Sequence, residues 1–122
     1  MRLIVGAVGQ GKRAYVRSLG YTEEQMSAGL GDQPVVLNLE DIVAALLREG
    51  RDPVRAVLDH AASHPSAVYV CTEVGCGVVP VDRFQREWRE AVGRVCCALA
   101  REAGRVDRVW CGLAMELKGE EG

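Results

Sequence analysis

The chain has 122 residues, 48% of them hydrophobic and 26% charged, with a formal net charge of -2. This length suits a single domain, expected to span residues 1 to 122 with a core of its own, and the mixture excludes a disordered polymer. Without a basic excess or an apolar run of membrane-spanning length, no nucleic-acid partner and no membrane association are expected.

The aliphatic run Arg2 to Val5 predicts a buried parallel strand, and it is too short for a signal peptide, so a cytoplasmic protein is expected. It leads into Gly6-Ala7-Val8-Gly9-Gln10-Gly11-Lys12, after which Arg13 to Leu19 reads as a helix ended by Gly20. Thr22 to Gln25 has the spacing of a capping box, so a short helix is expected there. Gly29 to Pro34 is turn-rich and expected to be mobile, and a second strand is expected over Pro34 to Leu37.

Leu39, Ile42, Val43, Leu46 and Leu47 recur at helical spacing and predict a helix from Leu39 to Arg48, closed by Gly50. Asp52-Pro53 opens the next helix, to about His60, with Pro at its first position. Val68 to Cys71 is the third strand. Thr72 to Val81 is a loop containing Gly75, Gly77 and Pro80, followed by a long amphipathic helix over Asp82 to Gly104. The final stretch, Val106 to Lys118, reads as one apolar strand, Val109 to Leu113, with a polar tail. Strands alternating with helices imply an α/β fold with a mostly parallel sheet and helices on both faces.

The five cysteines (Cys71, Cys76, Cys96, Cys97, Cys111) are odd in number, two are adjacent, and Cys71 and Cys111 lie in apolar runs. Zinc-type Cys-x-x-Cys or Cys/His pairs are absent, so buried free thiols are expected and no metal site.

A strand, then Gly-x-x-x-x-Gly-Lys, then a helix is the context of a phosphate-cradling P-loop. Glycines let backbone N–H groups converge on phosphate oxygens, the helix N-terminus adds positive potential, and Lys12 reaches the terminal phosphates. A tight glycine-rich turn is the bland alternative. Gly6, Ala7, Val8, Gly9, Gln10, Gly11, Lys12 and Arg13 are the candidate nucleotide-binding residues. The position after Lys12 departs from the pattern, because Arg13 stands where a Ser or Thr hydroxyl would bind magnesium. Either metal is held another way, or Arg13 partly replaces its charge, or metal-dependent chemistry has been lost; a solvated Arg13 on the first helical turn is equally compatible.

Thr72-Glu73-Val74-Gly75-Cys76-Gly77-Val78-Val79-Pro80 leaves a buried strand, where α/β proteins place ligand loops. It continues as Arg83-Phe84-Gln85-Arg86-Glu87-Trp88-Arg89-Glu90-Ala91-Val92-Gly93-Arg94-Val95. This run resembles the bifunctional adenosylcobinamide kinase / adenosylcobinamide-phosphate guanylyltransferase family of cobalamin biosynthesis. That family carries Glu-Val-Gly-x-Gly-x-Val-Pro, then Arg-x-x-Arg-x-Phe-Arg-Asp-x-x-Gly-x-x-Asn-Gln. Here Trp88 stands for the Phe, Glu90 for the Asp, and Cys96-Cys97 for the Asn-Gln, while Val109 to Lys118 resembles the family's closing segment. The resemblance covers Met1 to Leu19 and Val35 to Lys118, with the glycine loop where the family has its own P-loop.

The resemblance implies a three-layer, P-loop NTPase-like (RecA-like) fold and phosphoryl transfer from GTP or ATP to a cobinamide hydroxyl. It also implies a homo-oligomer, since family enzymes assemble as trimers through their helices. The chain looks like a shortened member: the family's His-containing segment, whose histidine is guanylylated, falls between the first helix and second strand, and Gly20 to Pro34 contains no His. The family's acidic Walker-B-like position is Asn38 here, with Glu40 and Asp41 just beyond. Magnesium is thus compatible with the family but lacks its usual ligands.

Glu73 is the best remaining carboxylate, for water-mediated magnesium binding or activation of a substrate hydroxyl; a carboxylate bonded to loop amides is the structural alternative. Lys12 and Glu73 are therefore the candidate catalytic pair. His60 and His64 lie at the far end of a crossover helix and are set aside as nucleophiles. Arg83, Arg86 and Arg89 could clamp phosphates or acidic partners, but a solvated face or subunit contact is commoner, and Phe84 and Trp88 read as packing residues. A catalytically impaired nucleotide sensor or partner subunit is the rival reading, supported by Arg13 and Asn38. An interaction protein that retains only the fold is the third.

Overall fold

A computed structural model describes residues 1–74 and 82–119. In chain order the elements are β1 (Arg2–Gly6), α1 (Lys12–Ser18), a 3₁₀ turn (Glu23–Gln25), β2 (Met26–Ser27), β3 (Val35–Val36), α2 (Leu39–Arg48) and α3 (Pro53–Ser63). Then follow β4 (Val68–Thr72), α4 (Arg83–Glu102), β5 (Arg105–Trp110) and β6 (Leu113–Lys118). The strands form one six-stranded sheet in the order β2-β3-β4-β1-β5-β6, parallel throughout except for the β5–β6 pair.

Side chains alternate across this sheet and divide the core in two. Leu3, Val36, Tyr69, Cys71 and Val106 face α2, α3 and α4, where they meet Leu39, Val43, Leu46, Val57, Val92, Val95 and Leu99. Ile4, Val35, Leu37, Val68, Val70 and Val109 face the other way, against Val16 of α1. The result is the expected three-layer α/β architecture with helices on both faces, but the layers are unequal. Three helices cover one face, whereas the other carries α1, which has seven residues.

The helix starts follow from local chemistry. Asp52 accepts hydrogen bonds from the N–H groups of Val54 (3.1 Å) and Arg55 (3.3 Å), with Pro53 at the first helical position. Asp82 does the same for Phe84 (2.7 Å) and Gln85 (3.4 Å). At Thr22 the capping box forms, but the segment closes only one 3₁₀ turn.

Two strand expectations are corrected. The closing segment is a hairpin rather than one strand: Cys111 (φ 51) and Gly112 (φ 75) are both left-handed, as the two central residues of a type I′ turn must be. That turn reverses the chain, so Val109–Leu113 does not run straight, and β6 returns antiparallel along β5. The short strand β2, unmarked by any hydrophobic run, pairs in parallel with β3. The thiol expectation is corrected in part: Cys71 is buried and Cys96 partly so, but Cys97 and Cys111 are exposed, Cys111 because it sits in the turn. Cys76, Gly75, Gly77 and Pro80 lie outside the described residues.

Candidate functional site

The chain leaves β1 toward α1 on one face and leaves β4 toward α4 on the other, and α4 carries it across β1 to β5. The carboxyl ends of β1 and β4 therefore bound the crevice where sheets of this kind take ligands. The glycine loop leaves the first of these ends and Glu73 the second, with the Glu73 N–H bonded to the Gly6 carbonyl at 2.9 Å.

Gly6 is dictated by the sheet itself. A Cβ there would lie 2.6 Å from the Val109 carbonyl oxygen, which is backbone and cannot give way cheaply. Ala7, Val8 and Gly9 form the exposed crown of the loop. Gln10 clasps the hairpin turn: its side-chain oxygen accepts from the Cys111 N–H (2.6 Å) and its carbonyl from the Gly112 N–H (2.9 Å). Gly11 is left-handed (φ 94), so a side chain there would be strained, and its open side faces Gly112. Tyr15 makes the first helical bond back to Gly11. The amides before it lack intrahelical acceptors, as at any helix start.

Lys12 opens α1 and turns back over the loop, donating from Nζ to the Ala7 carbonyl at 2.7 Å. Burial lowers its pKa, and the negative charges of Glu40 and Glu73, with the Cys71 thiol, pull the other way. Lys12 is thus in electrostatic reach of both carboxylates. Glu40 accepts from the Thr72 N–H at 2.9 Å, tying α2 to the end of β4, while its carbonyl accepts from the Trp88 indole N–H at 2.8 Å. Glu73 is held by Arg108 of β5 through both oxygens, at 2.7 Å from Nε and 3.0 Å from Nη2.

Arg13 points elsewhere. Its guanidinium and that of Arg17 both pair with Glu23 on the surface, and the hydrogen bonds from the two guanidinium groups hold the Glu23 carboxyl down at about 2. Asn38 is exposed and left-handed (φ 54), and its side chain makes no capping bond to α2. Glu40 is committed to the Thr72 amide. Among the described residues no three His, Cys, Asp or Glu side chains converge as a metal site. This donor set does not fit a magnesium ion held by the protein.

The histidines sit at the opposite end of the sheet, before β3 and β4. The His60 Nε2 faces the Gly31 carbonyl (2.7 Å) and its Nδ1 the Tyr69 hydroxyl (2.5 Å). The His64 nitrogens face the His60 carbonyl (2.9 Å) and Asp32 (3.1 Å). Two acceptors favour the imidazolium, so the His64 pKa is raised, first by the His60 carbonyl and then by Asp32. A cavity of about 440 Å³ lined by Arg2, Tyr21 and Arg105 opens at this end too, away from the glycine loop.

The structure therefore places Lys12 and Glu73 at adjoining strand ends within electrostatic reach of each other, leaves the Arg13 side chain aside, and adds Glu40 and Arg108. Arg108 follows Asp107 directly and precedes the apolar stretch Val109–Leu113 where the strand is expected, so residue type alone does not mark it. Trp88 packs as expected, half-buried against the larger core, and Phe84 lies under the Arg48 guanidinium at 4.9 Å. Such a site can hold polyphosphate oxygens on loop amides and an ammonium, with a carboxylate beside them.

A family model described as cobinamide kinase / cobinamide phosphate guanyltransferase matches residues 34–117. The matched range holds Glu40, Glu73 and Arg108, and the glycine loop precedes it. No curated protein matches the chain.

Proposed function

The chain belongs to the cobinamide kinase / cobinamide phosphate guanyltransferase family, and from that premise we propose that it transfers the terminal phosphoryl group of GTP or ATP to a cobinamide hydroxyl. The loop from Gly6 to Arg13 binds the nucleotide phosphates, with the Arg13 contribution coming from its backbone. Lys12 exchanges its bond to Ala7 for the terminal phosphates and stabilises charge as the bond from phosphorus to the bridging oxygen breaks. Glu73 accepts the hydroxyl proton as the substrate oxygen bonds to phosphorus and the nucleoside diphosphate departs. The observation that carries this reading is that the glycine loop and Glu73 leave adjoining strand ends, with the Glu73 N–H on the Gly6 carbonyl and the Lys12 stem lying beside Gly6.

Guanylyl transfer through a histidine is not part of the proposal, because His60 and His64 are bonded together at the other end of the sheet. The test is incubation with cobinamide and nucleotide labelled at either the γ- or the α-phosphate. Label moving to cobinamide from the γ position supports the proposal; label moving only from the α position overturns it. A second reading, a nucleotide sensor or partner subunit without turnover, is favoured by the Arg13–Glu23 pairing and by Asn38. Binding with no transfer from either position decides for it. A single domain, a cytoplasmic site of action and a homo-oligomer, a trimer by resemblance, belong to the same proposal. Trp110, Leu113 and Leu117 leave an exposed apolar edge on the β5–β6 hairpin for self-association, which light scattering tests. No helix among the described residues is long and apolar enough to cross a membrane.

A further inference from the structure

Among the described residues, Lys12, Glu40, Glu73 and Arg108 lie around the carboxyl ends of β1, β4 and β5, and their charge balance bears on whether a polyanion is welcome. Lys12 is positive; Glu40 and Glu73 are negative and act on it electrostatically. Arg13, one residue on, contributes little, since its guanidinium is paired with Glu23 on the surface. Without Arg108 the cluster is negative, and a nucleotide triphosphate is repelled from the loop that should hold it. Arg108 stands opposite Val5 in the sheet, one strand over, and reaches past the end of β1 to take both Glu73 oxygens. This planar fork matches a carboxylate in a way a single ammonium does not.

We propose that Arg108 is a positioning residue that holds the Glu73 carboxylate away from Lys12, leaving the ammonium available for the nucleotide's phosphates. Remove Arg108, and the Glu73 carboxylate loses its guanidinium partner beside the loop on which the Lys12 stem lies, and is released to turn to the Lys12 ammonium. An internal ion pair then competes with the phosphates for the same ammonium. Glu73 is 23% exposed and Arg108 46%, so both side chains have room to reorient without rebuilding the core. The inference rests on the nucleotide-binding reading above and deepens it, by assigning a residue that the glycine-loop motif does not contain.

Calorimetric titration with GTP and with ATP tests it in wild type, Arg108→Ala, Arg108→Lys, Glu73→Gln and the double variant Arg108→Ala/Glu73→Gln. Thermal unfolding is followed for each protein to confirm folding. Arg108→Ala is expected to weaken binding roughly two- to fivefold, the scale of one partly exposed ion pair. The double variant is expected to regain wild-type affinity or better, because the competing carboxylate is gone. Arg108→Lys keeps the charge but holds one oxygen less well, so it should fall between wild type and Arg108→Ala. If Arg108→Ala does not fold, the same rescue by Glu73→Gln is sought in Arg108→Lys.

A residue that merely braced the strand ends would not be rescued by deleting a further contact. Wild-type affinity in Arg108→Ala overturns the proposal and leaves the nucleotide reading standing. So does a double variant as weak as Arg108→Ala. A wild-type protein that binds neither nucleotide overturns the nucleotide reading, and this proposal with it.

Discussion

Replacing Lys12 by Ala isolates the phosphate-binding half of the site. In the structure Lys12 Nζ is not waiting in solvent: it donates to the Ala7 carbonyl at 2.7 Å and is partly desolvated. A phosphate oxygen must displace that carbonyl. A charge-assisted hydrogen bond to phosphate is worth about 3 kcal/mol at most, and the surrendered bond from the ammonium to a neutral carbonyl about 1.5 kcal/mol. The net contribution is then about 1.5 kcal/mol, or roughly a tenfold loss of nucleotide affinity in Lys12→Ala. Fold stability should change little, since Ala is as good a helix former at an exposed start and the Ala7 carbonyl can turn to water. The assay is calorimetric titration with GTP and ATP alongside urea unfolding. If Lys12→Ala binds nucleotide within twofold of wild type while remaining folded, the ammonium is not a phosphate ligand and the reasoning fails.

Gly6→Ala should destabilise the fold by about 2 kcal/mol, because its Cβ would press on the Val109 carbonyl at 2.6 Å; an unchanged urea midpoint would refute the close approach. Asp107 is fully buried and holds Arg105 (3.0 Å), Arg2 (3.8 Å) and the Tyr15 hydroxyl (3.0 Å). Asp107→Ala should therefore cost about 3 kcal/mol and Tyr15→Phe about 1 kcal/mol by the same measurement, the second by loosening α1 from the sheet. The raised His64 pKa means that its ion pair with Asp32 adds stability most fully below its ordinary value near 6.5, and that this stability is lost as pH rises through the folded value. The melting temperature of Asp32→Asn should thus fall below wild type at pH 6 and converge with it by pH 8 or 9. A constant gap across that range would show that the pair is not the cause.

Much of the architecture was legible because it rests on local rules. The spacing from Leu39 to Leu47 placed α2 at Leu39–Arg48, and Asp52-Pro53 marked the start of α3 through chemistry confined to one turn. Glycine and lysine spacing identified the loop, and the strand before it fixed its position. The hairpin has an equally local but weaker mark: Cys111-Gly112 breaks an apolar run, and Cys is an uncommon residue at positive φ. β2 could not be read at all, since two residues carry no period and their pairing comes from β3 alongside.

What the sequence determined by itself was the alternation of strands and helices, the family resemblance, and the candidates Lys12 and Glu73, each set by residue type and short spacing. Only the tertiary structure decided how charge is distributed among them. Glu40, Glu73 and Arg108 come from α2, the end of β4 and β5, far apart in sequence, and come to the end of the sheet that bears Lys12 because the strand order puts β1 between β4 and β5. The same folding turned Arg13 to Glu23 and made Gly6 a requirement of its neighbour strand as well as of the loop. Such pairings depend on long-range register, which periodicity does not carry.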